Sequence, residues 1–245
     1  MTTSDPILPL TLTSLSMFSA ERYNNLPNIE YANNELKKRT NFNEFLEKVF
    51  AITLESKIEL GLRLIHKHIS LKDDKAMIEK YTEFNNKPAL ITSADFVDEK
   101  TYPASWLLNK DKTLSVFEYS RDLHVIRTLN KVVKDPLPFR NICQLIRQYH
   151  FESLLAPCVH ARDAMVHFDK EQVFVERTYS NLFASVIQNE TSDTANSYIN
   201  TLYGAPITAD CIERQSCNYD DDEEQHMTTY WHEEVDSPHP NPDTP

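Results

Sequence analysis

The chain has 245 residues, 40% of them hydrophobic, and a formal net charge of -12, which allows one substantial core. The charge is segregated: residues 1–189 hold 24 acidic and 24 basic side chains, whereas residues 190–245 hold 13 acidic ones and Arg214 alone. The acidic stretch lacks the Lys and Arg that neutralise phosphates, and basic runs before it such as Lys37-Lys38-Arg39 are flanked by acids, so nucleic acid is not expected as a partner. Nor is a membrane, because no apolar run approaches the roughly 20 residues that a span needs.

The partition predicts a globular domain over 1–189 and a flexible acidic tail over 190–245. At the N-terminus the apolar run Ile7 to Leu15 follows Asp5 and Pro6, without the basic start of a secretory signal. A cytoplasmic location is expected, with nuclear entry left open, and Cys143, Cys158, Cys211 and Cys217 are expected as reduced thiols.

Residues 1–189 contain a single glycine, Gly61. Phosphate-cradling loops need several glycines so that backbone amides can approach the anion, so the P-loop, the dinucleotide fingerprint and the kinase-type loop are excluded. Turns fall instead to Asn and Asp, which tolerate left-handed backbone. The candidates are Asn24-Asn25, Asn33-Asn34, Asp73-Asp74, Asn85-Asn86 and Asn109 with Asp111.

A helix is predicted after Asn41, with Glu44 completing a capping box and Phe42, Phe45, Leu46, Val49 and Phe50 forming one stripe. Strict alternation of Ile58, Leu60, Leu62 and Leu64 with polar residues then predicts a half-buried strand. Further strands are expected over 76–82, 89–92, 106–108, 114–120, 154–159, 173–177 and 182–188. A helix over 122–133 and another from Pro138 to about His150 separate them. Short polar connections favour antiparallel pairing. The fold class is therefore α+β: a mostly antiparallel sheet, two or three packing helices, and a disordered acidic C-terminal tail.

The block Ile58 to Lys80 resembles a strand-turn-strand element in a family of uncharacterised fungal proteins with a Leu-Leu-His-x-His-Phe motif. Leu64, Ile65, His66, Lys67 and His68 carry the likeness, while Ile69 and Lys75 depart from it. The resemblance implies a fungal origin and no assigned activity. It also implies a closing segment that contains Cys and His.

His66 and His68, two apart, would share one side of a strand. They read either as strand-end histidines bonded to loop carbonyls, or as the start of a catalytic or divalent-metal site with Glu118 or His160 as third ligand. Cys158 and His160, followed by Arg162 and Asp163, read as a possible nucleophile and base. In the tail, Cys211, Cys217, His226 and His232 run in the order of a two-Cys two-His zinc site, with wider spacing than structural sites use. Met227, Tyr230 and Trp231 stand among acids, as anchors of a protein-docking segment do. His226, His232 and His239 would make that contact sensitive to acid.

Two functions follow. One is a non-enzymatic binding or regulatory protein that uses its acidic aromatic tail and needs no cofactor. The other is a metal-dependent enzyme of fungal secondary metabolism, built around His66 and His68.

Overall fold

The computed structural model describes residues 18–84, 87–159, 172–179, 182–189, 199–204, 211–220 and 225–234; of residues 81–84, 87–92, 172–179, 182–189, 200, 211–220 and 225–234 it describes the backbone alone. The chain is α+β. Three helices open it: α1 (Ala20–Asn24), α2 (Ile29–Lys37) and α3 (Phe42–Ser56). Each of the first two starts on a capping side chain. Ser19 Oγ accepts from the Arg22 amide, and Asn28 Oδ1 from the Tyr31 amide at 2.9 Å, satisfying N–H groups that a helix start leaves open. Asn41 makes no such bond, and Glu44 turns outward to Lys48 at 2.7 Å and to the Tyr149 hydroxyl at 2.6 Å. The expected capping box is therefore replaced by a tie between α3 and the residue that ends α5.

Next come β1 (Leu60–Leu64), β2 (Ala76–Phe84), β3 (Lys87–Asp95), β4 (Tyr102–Leu108) and β5 (Leu114–Ser120). The helices α4 (Leu123–Lys134) and α5 (Leu137–Gln148) precede β6 (Leu155–Val159), β7 (Gln172–Tyr179) and β8 (Leu182–Asn189). Pro138 sits in the first turn of α5, where its missing N–H costs nothing. The ladder then continues with β9 (Ile199–Gly204), β10 (Cys211–Asp220) and β11 (Gln225–Glu234). In the order β1-β6-β4-β5-β2-β3-β8-β7-β11-β10-β9 the strands close into a barrel, β9 returning to β1 through Leu62↔Tyr203. Pairing is antiparallel throughout except for β2 with β5, joined in parallel at Ile78↔Tyr119.

Two layers cover β1, β2, β4, β5 and β6. Alternate residues of β1 (Leu60, Leu62, Leu64), with Ile78, Trp106, Leu155 and Val159, pack under the helices against Phe45, Val49, Val125, Phe139, Ile142 and Ile146. Aromatic edges close this layer, with Phe45 to Phe151 at 4.7 Å and Trp106 to Phe139 at 5.0 Å between centroids. A second layer joins Ile65, Met77, Leu107, Phe117 and Ala156 to Ala20 and Tyr23 of α1 and to Leu71. Strands β1, β4, β5 and β6 are thus buried on both faces, where the sequence pattern predicted a half-buried β1.

The differences from expectation have physical reasons. Asn33 and Asn34 are not a turn but lie inside α2, whose buried stripe is Ile29, Ala32 and Leu36. The left-handed positions among the described non-glycine residues are Lys57, Lys112 and His150. A loose connection at a helix or hairpin end sets those angles, and no Asn or Asp is needed there. Asp73-Asp74 and Asp111 do fall in turns, while Asn85-Asn86 lies outside the described residues. Packing also continues past Asn189, because Leu202 and Tyr203 of β9 are buried against β1. No described helix is long and apolar enough to cross a membrane.

Candidate functional site

The alternation of β1 puts Leu62 and Leu64 under the helices and therefore Arg63 on the opposite face. There its guanidinium is buried between two glutamates from different strands. Nη1 donates to Glu118 of β5 at 2.5 Å and Nη2 to Glu79 of β2 at 2.6 Å. Ser105 of β4 adds a hydroxyl to the same Glu118 oxygen at 3.3 Å. β1 ends at Leu64, so His66 and His68 sit in the loop that follows and not on the strand. That loop folds back over the charges. His68 Nε2 lies 3.4 Å from Glu118 Oε1, and the two imidazole rings are 4.5 Å apart.

His66 Nδ1 lies 2.8 Å from the Leu64 carbonyl. A carbonyl only accepts, so Nδ1 carries the hydrogen in this contact. The reading of His66 as a histidine bonded to a loop carbonyl fits this bond.

Short bonds to α1 fix the loop. Tyr23 Oη accepts from the His68 amide at 3.1 Å, and Asn24 both accepts from the Leu71 amide at 2.7 Å and donates to its carbonyl at 2.8 Å. The Lys67 amide donates to the Pro27 carbonyl at 2.9 Å. A short helix and the loop between β1 and β2 together seal a layer of charge between themselves and the sheet.

The two carboxylates behave oppositely inside it. Burial pushes Glu118 up, but the Arg63 charge, the His68 hydrogen bond and both imidazoles outweigh that and hold it at about 2. Burial also pushes Glu79 up, and there it prevails. Arg63 opposes it, while the negative charges of Asp122 and Glu118 add to it. One guanidinium serves two acids; the acid with the histidines beside it is held low and the other is held high. Burial pushes the Cys158 thiol to about 12, with Arg63 opposing and the two glutamates adding.

The candidates from sequence fare differently. His66, His68 and Glu118 do come together. Glu118, however, is engaged by Arg63, and a divalent ion at that carboxylate would face a guanidinium cation. Among the described residues, no group of three or more His, Cys, Asp or Glu is placed to hold a metal ion. Cys158 is buried as a thiol, the wrong form for a nucleophile, and its proposed partners His160, Arg162 and Asp163 lie outside the described residues.

On the hairpin of β10 and β11, Cys211 and Cys217 stand six residues apart on one strand, about 20 Å of extended chain. His232 pairs with Glu213 and His226 with Tyr219, so the four positions are spread along the hairpin instead of gathered at one point. Met227, Tyr230 and Trp231 fall on β11, where Tyr230 pairs with Gln215 on one side and Phe174 on the other. The side chains of these hairpin residues lie outside the described residues, as does His239.

Sequence reasoning missed Arg63 and Glu79: alternation puts Arg63 on the polar side of a half-buried strand, and Glu79 falls without a role inside the strand expected over 76–82. For Arg63 and Glu118 a signal was present: a single charged residue inside an otherwise uncharged strand has to find a partner if both faces of the sheet are covered. Compared with known proteins, the chain matches no family model, no curated protein and no solved structure.

Proposed function

We propose that this chain is a non-enzymatic binding protein: the barrel and its buried charge layer are the scaffold, and the acidic aromatic segment that includes Met227, Tyr230 and Trp231 is the docking element. The observation that carries the reading is the engagement of Arg63 by both glutamates at 2.5 and 2.6 Å. The charges of the layer are spent on each other, as in a structural network, and the layer is sealed by α1 and the loop after β1. Contact chemistry then falls to the segment with the strongest field. Residues 220–236 hold eight acids and no Lys or Arg, with Tyr230 and Trp231 among them. Such a segment suits a partner that offers an apolar groove rimmed with basic side chains.

The test is capture by the purified full-length chain against a Tyr230→Ala, Trp231→Ala variant, with bound proteins identified by mass. Salt-sensitive partners with basic surfaces that the variant loses support the reading. An identical set of bound proteins from both chains refutes it.

A second reading is favoured by the opposite behaviour of Glu79 and Glu118. A raised and a lowered carboxyl beside two imidazoles is the arrangement used for proton transfer. On this reading the chain is an enzyme, in one form with a divalent metal at His66 and His68. Metal analysis of protein purified without an affinity tag decides that form. A ratio far below one per chain removes it, and a stoichiometric metal lost in the His66→Ala, His68→Ala variant sustains it.

A further inference from the structure

We propose that the solvent face of the helix layer is a two-fold interface between copies of this chain, in which α3 of each copy packs on α4 of the other. Helices α3, α5 and α4 cover the same face of the sheet. They follow the strand order β1-β6-β4: α3 packs on β1, α5 on β6, and α4 on β4 and β6, while α5 packs against both of the other helices. α5 is therefore the middle of the row.

The outward ridges of the three helices differ in sign. α3 buries Phe45, Leu46, Val49 and Thr53, so Glu47, Ala51, Leu54 and Glu55 fall on its opposite side, where all four are exposed. Glu44 shares that side and is held by Lys48 and Tyr149. α4 buries Val125, Thr128, Leu129 and Val132 and exposes Leu123, Arg127, Asn130 and Lys134 along one ridge. Lys131, beside that ridge, is held by Glu59 at 2.8 Å. Between the two, the exposed residues of α5 are Leu137, Gln144 and Gln148, none of them charged. Its two arginines are half-buried, Arg147 on the Lys112 carbonyl at 3.2 Å. The layer thus runs from acid through neutral to base.

A two-fold axis along α5 exchanges the flanks. It sets the acidic ridge of each copy on the basic ridge of the other, and the uncharged ridge of α5 on itself. An axis across the helices would instead set acid on acid and base on base. The charges also match in spacing: at about 1.5 Å of rise per residue, Glu47 and Glu55 stand about 12 Å apart along α3, and Arg127 and Lys134 about 10 Å apart along α4. Large apolar side chains stand in the same ridges, with Leu54 51% exposed, Leu123 65% and Leu137 58%. Covering them drives association, and the charges select the partner and its orientation. Each copy presents the same patch to the other, so assembly closes at two. The interface uses no residue of the acidic aromatic segment and stands or falls apart from the docking reading.

Sedimentation equilibrium of the full chain tests this. The expected result is a dimer that weakens as salt rises from about 0.01 M, where charges act over roughly 30 Å, to about 1 M, where they act over about 3 Å. Glu47→Lys with Glu55→Lys should weaken the dimer about tenfold or more, because both contacts then carry like charges, and so should Arg127→Glu with Lys134→Glu. An equal mixture of the two variants should form a heterodimer, since both contacts regain opposite signs. The chain with all four substitutions should again pair with itself. If a variant fails to fold, Leu54→Ser with Leu137→Ser in the otherwise native chain replaces it and should weaken the dimer too.

A chain that is monomeric at every salt concentration overturns the proposal. So does a dimer that the substitutions leave unchanged, or one that the mixture does not restore. Assemblies that grow past two copies with concentration overturn the two-fold arrangement. A monomer that binds phosphatidylserine vesicles through Arg127 and Lys134 also overturns it and assigns the basic ridge to a membrane surface.

Discussion

Arg63 and Glu118 meet at 2.5 Å on the face of the sheet turned away from helices α2 to α5, with Glu79 on the other arm of the same guanidinium at 2.6 Å. Three formal charges thus share one enclosed layer, and their sum is one negative charge too many for a single cation. The raised state of Glu79 and the lowered state of Glu118 are the two halves of that imbalance.

Removing the cation should therefore be far worse than removing either anion. Arg63→Met leaves two enclosed carboxylates facing each other and is expected to cost about 3 to 5 kcal/mol. Glu79→Gln keeps the Arg63 and Glu118 pair and relieves the surplus charge, so at neutral pH it should stay within about 1 kcal/mol of the parent. Urea unfolding of the two variants measures the difference. Equal losses would mean that the charges are not confined to the layer as described.

The pH dependence follows with a sign for each acid. Glu118 is depressed from its ordinary 4.5 to about 2, so the unfolded chain binds its proton first, and the stability it supplies is lost as pH falls from 4.5 toward 2. Glu79 is raised, so the folded chain binds its proton first. Between its raised value and 4.5 the fold gains stability as pH falls. Glu118→Gln should flatten the acid limb below 4.5, and Glu79→Gln the limb above it, in melting temperatures taken across pH. Identical profiles for both variants would contradict the assignment.

Buried thiols should be inert. Burial holds Cys143 and Cys158 near 12, and both are enclosed, so neither should react with iodoacetamide at neutral pH in the native chain, while both react in denaturant. Peptide mass analysis reads this directly. Rapid native labelling of Cys158 would revive the nucleophile reading.

Where one side of an element alone decides its structure, the sequence was informative. The stripe of Phe45, Leu46 and Val49 marks α3, Phe139, Ile142 and Ile146 mark α5, and the boundaries of β5 fall where alternation puts them. The short α1 and the polar α2 went unseen, because five residues give no period and α2 shows three buried residues among nine. Strands β9 to β11 went unseen because the acidic count dominated their composition, although Leu202 and Tyr203 read as a strand when taken alone. The site was half legible. His66, His68 and Glu118 stood out by type, whereas Arg63 and Glu79 gain their meaning from strands 16 residues apart that meet across the barrel. Local alternation carries no information about which charges lie opposite one another.

The central claim is that binding and the charge layer are separable: the layer holds the scaffold, and contact resides in the acidic aromatic segment. The direct measurement is partner capture by two full-length variants at a temperature where both are folded. In one, Arg63→Met, Glu79→Gln and Glu118→Gln neutralise the layer, and in the other Tyr230→Ala and Trp231→Ala remove the anchors. Capture retained by the first and lost by the second is the predicted result. Capture lost by the first and kept by the second would place function in the buried layer and contradict the account.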